Sequence, residues 1–351
     1  LFHRPVCKGP TMRHSLSRLS VYSAVALIGC APAGGGTSPD TDAGAAPIPT
    51  CTIDGVELRK PLEHATTHTG GVPDLSCVDN PAALAASETI TAEGCVDIFG
   101  LGGKAKGGLK IAFYDVDQDA KTEEPAYGTT DILTKAGGSA EAAECSKEGW
   151  YRKEGLPTNK PLTVKVYDSA TGFSQTAIPT YTYYKIFDAA AVEDGVYEYE
   201  ANLVYKTTYD SIPTLGGRRV DGQTDISDGV GRGVIAGEVH DCKGALVKHA
   251  SVSTSRVDSS TRVAYFNGDL DDPTPDLAMT ATNTDALFAV LNAETAPGTN
   301  DHNVVAAILD PACTEEDPAE CDCVKAGAAT INVYPDSVSI LSPEGTFPEA
   351  Q

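Results

Sequence analysis

Basic residues, methionine and tryptophan are all scarce in this chain. Its 351 residues carry 26 Lys and Arg against 49 Asp and Glu, a formal charge of −23, with 2 Met and 1 Trp. The basic deficit excludes a nucleic-acid binder, which needs a cationic footprint for the phosphates. No apolar run is long enough to span a bilayer as a helix. Long segments with helical periodicity are missing too, which excludes a helical bundle and an alternating parallel sheet. So are catalytic signatures. There is no Gly-x-Ser-x-Gly elbow, no Walker loop and no Gly-x-Gly-x-x-Gly turn. None of the seven His is followed by Glu at the third position, and between His64 and His68 there is no Glu where a zinc helix would carry one, Ala65 standing in that place. What is present is 34 Gly, 22 Pro and 41% apolar residues, a composition for many short strands and turns around a real core.

The beginning of the chain reads as an export signal. From Met12, Arg13 and Arg18 precede the short apolar stretch Leu19 to Ile28, and Leu27-Ile28-Gly29-Cys30 follows. Residues 1–11, with Cys7, lie upstream of this start and are set aside. The four-residue motif resembles the bacterial lipobox. That resemblance implies that Cys30 is lipidated and becomes the mature N-terminus, and that Ala31 after it directs the protein to the outer membrane. Residues 30–50 are small and rich in Gly, Pro, Ser and Thr, a composition for a flexible tether. The segment 1–29 carries Arg4, Lys8, Arg13 and Arg18 and no acid, so its removal takes the formal charge from −23 to −27. Anionic lipid repels such a body, and attachment to the membrane would depend on the acyl chains.

Eight cysteines remain: Cys51, Cys77, Cys95, Cys145, Cys242, Cys313, Cys321 and Cys323. An even number in an exported chain reads as disulfides. Chain order favours Cys51–Cys77 and Cys95–Cys145, with Cys321 and Cys323 dividing Cys313 and Cys242 between them. A metal site of Cys313, Cys321 and Cys323 matches no zinc spacing.

Residues 51–92 read as a disulfide-stapled preamble, with a short helix at 81–87. Beyond it, Leu109, Ile111 and Phe113 alternate with Lys110, Ala112 and Tyr114. Leu162, Val164 and Val166 do the same, as do Ile331 with Val333 and Val338 with Ile340. This period of two predicts half-buried antiparallel strands. Single helical turns are predicted within 139–147 and 188–193. A strand, Gly turn and strand at 95–114 recurs at 233–252. In the second copy Gly237, Val239, the turn Asp241-Cys242-Lys243-Gly244, and Ala250 before Val252 are followed by Phe288 and by Pro297-Gly298. This pattern resembles the carboxypeptidase-regulatory-like family, whose fold is the transthyretin-like (prealbumin-like) β-sandwich, an accessory module without catalysis of its own. Where that family usually has Gly, this chain has Ala286. The resemblance covers 232–342 well and 93–206 loosely, with a linker at 207–231.

Two clusters invite a functional reading. Asp115, Asp117 and Asp119 alternate like the first half of a calcium loop, and Glu123 is a candidate fourth ligand for Ca²⁺. Against this, Ala120 and Ala126 occupy the Gly and Glu positions of that loop. Asp269, Asp271, Asp272 and Asp276 form a second acidic group. Tyrosines concentrate at 181–209, where Tyr197, Tyr199 and Tyr205 suit either a glycan- or protein-binding surface or a sandwich core. The sequence thus predicts an all-β chain: tandem antiparallel Greek-key sandwiches, transthyretin-like or Ig-like, after signal and tether. The function expected is a non-enzymatic outer-membrane lipoprotein on the periplasmic or cell-surface face. Its partners would be the membrane and a glycan or envelope protein, and a calcium-dependent adhesin is the alternative.

Overall fold

The computed structural model describes residues 49–346 except 81–83, 100–107, 135–137, 146–148, 171–174, 216–231, 259, 270–273, 277, 296–300 and 343–344. The alternating segments are strands: Leu109–Asp115, Leu162–Asp168 and Val338–Ile340, with Ile331 near the end of Cys323–Asn332. They are more than half-buried. Ala112 and Tyr114 are as enclosed as Ile111 and Phe113, because their sheet is covered on both faces.

That sheet has nine strands and frames the molecule. Its spatial order is Pro275–Asp276, Arg262–Phe266, Leu287–Glu294, Arg232–Glu238, Val338–Ile340, Thr180–Lys185, Leu162–Asp168, Leu109–Asp115 and Thr129–Asp131. A six-stranded sheet built on Thr89–Phe99, Gly149–Pro157 and Ala201–Tyr205 covers one face of the later-named strands. There Leu109, Ile111, Phe113 and Val164 meet Val96, Tyr151, Leu156 and Leu203. A four-stranded sheet, with Asp301–Leu309 and Cys323–Asn332 at its centre, covers the opposite face of the other half. There Ile235, Phe288 and Val290 meet Val252, Val304 and Ile308. The fold is therefore all-β, two sandwiches in tandem that share one sheet.

Val338–Ile340 makes the join. It pairs in parallel with both Thr180–Lys185 and Arg232–Glu238. Parallel pairing also joins Ala201–Tyr205 and Val196–Glu198 to Thr89–Phe99. The expected purely antiparallel pairing is corrected at these places. Such strands arrive by long connections and not through hairpins, so nothing forces them antiparallel.

Two features of the family-like motif acquire physical reasons. A Cβ on Gly237 would overlap the Leu341 carbonyl oxygen, so the joining segment lies directly on that glycine. Ala286 stands at φ +53°, in the left-handed region that favours the glycine of the resembled family.

The short helical turns start at caps. Ser139 accepts from the Ala142 amide at the head of Ala140–Glu144, and Asp188 accepts from the Ala190 amide at Ala189–Ala191. Residues 84–88 carry no helix, and the rest of that predicted turn lies largely outside the described residues. The predicted linker opens instead as the helix Lys206–Leu215. Tyr209 anchors it in a cluster with Ile178, Val204, Phe266 and Val338, and Lys206 pairs with Asp210 one turn on at 2.9 Å. Pro213 and the glycines after it read as a breaker, while the burial of Tyr209 supplies the stabilisation that propensity lacks. Among the described residues no helix is long and apolar enough to cross a membrane.

Candidate functional site

The acidic loop after Leu109–Asp115 is organised by its own side chains. Gln118 is the hub. Its Oε1 accepts from the Asp115 and Ala126 amides at 2.9 and 3.1 Å, and its Nε2 donates to the Glu124 carbonyl at 3.2 Å and to Glu123 at 3.4 Å. Asp115 Oδ1 accepts from the Tyr127 hydroxyl at 2.7 Å and pairs with Lys160 Nζ at 2.6 Å. The Asp115 hydrogen bond, then that to Tyr127, push Lys160 up to about 12 against the opposing effect of desolvation. Asp119 turns the other way. It accepts from the Lys121 amide, from Thr122 Oγ1 and from the Tyr334 hydroxyl. Desolvation works to raise its pKa, but the bonds from Thr122, Tyr334 and the backbone outweigh it and hold the carboxyl below the ordinary 3.8.

The structure thus does not bring Asp115, Asp117, Asp119 and Glu123 together as ligands of one ion. Asp115 neutralises Lys160, Asp119 serves Tyr334, and Asp117 faces solvent. Among the described residues no group of three or more His, Cys, Asp or Glu side chains could hold a metal. In the second acidic group, Asp271 and Asp272 lie outside the described residues. Asp276 accepts from the Ala278 amide as a local turn cap.

Beside Asp119 lies an aromatic layer where the two sandwiches meet. Tyr334 and Tyr181 have ring centroids 4.8 Å apart, and Tyr181 stacks on Tyr183 at 6.5 Å. Lys165 Nζ sits 5.1 Å over Tyr167 and 5.2 Å over Tyr181, and donates to the Ala120 carbonyl at 2.9 Å. Burial lowers its pKa, with Asp119 opposing and Lys121 assisting. Burial also raises the phenols of Tyr181, Tyr183 and Tyr334 far above the ordinary 10.0. They stay protonated at any physiological pH, so this layer is suited to joining the sandwiches rather than to proton transfer.

The tyrosines offered as a binding surface are core. Tyr199 and Tyr205 are 8% and 6% exposed, and Tyr197 is half-buried against the same cluster. The alternation of Tyr197 and Tyr199 with Glu198 and Glu200 turns one face inward, and that face forms a lid over Phe187, 5.1 Å from Tyr197 and 5.7 Å from Tyr199. Lys185 Nζ closes the group at 5.7, 5.2 and 4.7 Å from Phe187, Tyr197 and Tyr199.

All eight cysteines outside 1–50 form bridges: Cys51–Cys323, Cys77–Cys242, Cys95–Cys145 and Cys313–Cys321. Cys95–Cys145 matches the reading from chain order. The pairing Cys51–Cys77 does not form, nor do Cys321 and Cys323 divide Cys313 and Cys242 between them. The reason is where the preamble lies. Thr50–Ile53 and Val56–Arg59 form a hairpin, and its Val56 and Leu58 lie against Val305 and Ala307 of the four-stranded sheet. That brings Cys51 to Cys323 at the start of a strand. Further on, the Cys242 amide donates to the Asp74 carbonyl at 2.9 Å, the Asp74 amide to Asp241 Oδ2 at 3.0 Å, and Lys243 pairs with Asp74 at 2.9 Å. The Lys243 hydrogen bond, then those from Ser76, lower Asp74 to about 2.

Asp241 entered the sequence analysis only as part of a turn; its role, and those of Lys325 and Asp54-Gly55, escaped it. Asp241, buried, gathers the Lys243 and Ala245 amides as well. Lys325 pairs with Asp54 at 2.9 Å and with Asp79. Asp54-Gly55, at φ +51° and +76°, makes the two-residue hairpin turn. The Asp-Gly pair was the one available signal among them. Cys30 lies outside the described residues.

No family model and no curated protein matches this chain. Among solved structures, a shaft pilin from Lactobacillus rhamnosus GG aligns at 12% identity, covering 74% of this chain and 100% of its own, with a TM-score of 0.20. That likeness carries no argument about function. The carboxypeptidase-regulatory-like resemblance rests on the motifs quoted above.

Proposed function

We propose that this is a non-enzymatic lipoprotein of the bacterial cell envelope, anchored at the outer membrane through Cys30, whose joined sandwiches act as a rigid spacer carrying binding modules. The observation that supports the spacer role most is the nine-stranded sheet running unbroken through both sandwiches. Two domains on a loose linker would move independently by default. A shared sheet, with the aromatic layer and Asp119–Tyr334 across the join, resists that motion. Leu27 to Cys30 and the small-residue tether support the anchor. The calcium-dependent adhesin has no observation in its favour, since Asp115 and Asp119 are already engaged.

Labelled palmitate tests the anchor. The protein expressed in a Gram-negative host is expected to take up label in a globomycin-sensitive way and to fractionate with membranes. A Cys30→Ala form that still fractionates with membranes would overturn the lipid anchor. Protease shaving of intact cells then separates a surface spacer from a periplasmic one.

A further inference from the structure

The four bridges are nested. Cys51–Cys323 spans 272 residues, and Cys77–Cys242, Cys95–Cys145 and Cys313–Cys321 all fall inside it. Among the described residues the first strand is Thr50–Ile53, and it carries Cys51 of the outermost bridge. On the far side of the bridge, Cys323 opens Cys323–Asn332, which pairs with Asp301–Leu309 from Cys323 opposite Leu309 to Asn332 opposite Asp301. Next to the bridge, Lys325 holds Asp54 of the hairpin turn and Asp79 of the preamble. Burial alone would lower the Lys325 pKa, but the two carboxylates raise it, so this clamp stays charged.

A two-stranded hairpin by itself is marginal in water and peels easily. Among the described residues the hairpin has no ladder to the four-stranded sheet: its strands pair with each other. What joins it to that sheet is apolar contact, the Lys325 pairs and the covalent bridge.

We infer that Cys51–Cys323 is a mechanical clamp. Tension on the N-terminal tether passes through the bridge into Cys323–Asn332 and the joining strand Val338–Ile340 beyond it, and bypasses residues 52–322. A spacer with this wiring keeps the chain between the two cysteines out of the load path while the tether is pulled. The inference takes its direction of load from the anchor proposed above, but its test needs no lipid.

The test is single-molecule pulling on residues 30–351, held through the Cys30 thiol and a C-terminal tag. In the oxidised protein only the chain beyond Cys323 can be drawn out, about 100 Å at the reach of an extended chain. In the Cys51→Ser, Cys323→Ser double variant the stretches between Cys51 and Cys77 and between Cys242 and Cys313 also become available. The released length is then roughly four-fold greater. A long extension of the oxidised protein, or a folded double variant that releases only the short length, would overturn the clamp. If the variant does not fold, the wild type held at constant load decides. Dithiothreitol, which takes the S–S bond to two thiols as it forms its own cyclic disulfide, is expected to trigger lengthening. An unchanged trace defeats the inference. Failure of palmitate labelling would remove the anchor and leave this measurement as it stands.

Discussion

Tyr334 donates its hydroxyl to Asp119 Oδ1 at 2.8 Å, joining residues 215 apart in sequence. One belongs to the turn before the joining strand and the other to the acidic loop of the first sandwich. The acidic loop, which reads as an ion site in sequence, works here as one side of a latch.

Tyr334→Phe removes that hydrogen bond together with the hydroxyl's interactions with Tyr183 and the Ala120 backbone. A bond to a charged, partly exposed acceptor is worth about 1–2 kcal/mol, so the urea midpoint is expected to fall accordingly. In a double-mutant cycle with Asp119→Ala, the two losses should not add, with a coupling of about 1 kcal/mol. Additive losses would mean that the contact stabilises nothing.

Acid should weaken the protein in two windows. His302 is fully buried, 2.9 Å from Thr254 Oγ1 and 2.7 Å from the Glu294 carbonyl. A carbonyl only accepts, so Nε2 carries a proton. Desolvation holds its pKa below the ordinary 6.5, with the Glu294 carbonyl opposing. The unfolded chain therefore takes up a proton first, and stability declines as pH falls through 6.5. Asp119, held below 3.8, gives up its share only in stronger acid. Denaturation midpoints at pH 7, 6 and 5 are expected to fall in that order, less steeply in His302→Gln. A flat profile in the wild type would contradict the buried neutral histidine.

Close approach at the join predicts an ordering of glycine substitutions. Gly237→Ala drives a methyl into the Leu341 carbonyl and is expected to cost about 3 kcal/mol or more. Gly244→Ala meets nothing within 4 Å but sits at φ +75°, so about 1 kcal/mol is expected. Thermal melts of the two variants check the order, and equal losses would show that Leu341 can move aside.

If Tyr199 is core, Tyr199→Ala should cost about 3–5 kcal/mol, seen as a large drop in melting temperature. A variant of unchanged stability that lost retention on a glycan column would return Tyr199 to the surface.

Strand periodicity at Leu109, Leu162 and Val338 was legible because alternation is a local property of the chain. The short helical turns within 139–147 and 188–193 were legible from local composition. Pairings across long separations were not. Cys51 finds Cys323 because the hairpin lies on the outer face of a sheet whose two central strands come from 301–332, and chain order holds no trace of that placement. Tyr197, Tyr199 and Tyr205 could be read both ways because a tyrosine stripe serves a core or an interface equally, until a second sheet is known to cover it.

The acidity that opened the reading has the same division. Sequence alone determines that the chain is strongly anionic, β-rich and cysteine-bridged, because composition and periodicity are local quantities. Tertiary structure alone decides where the acids are spent: Asp115 on Lys160, Asp119 on Tyr334, Asp54 and Asp79 on Lys325. A carboxylate's role depends on which cation or donor lies within about 3 Å of it, and those partners are brought by strands from the far end of the chain.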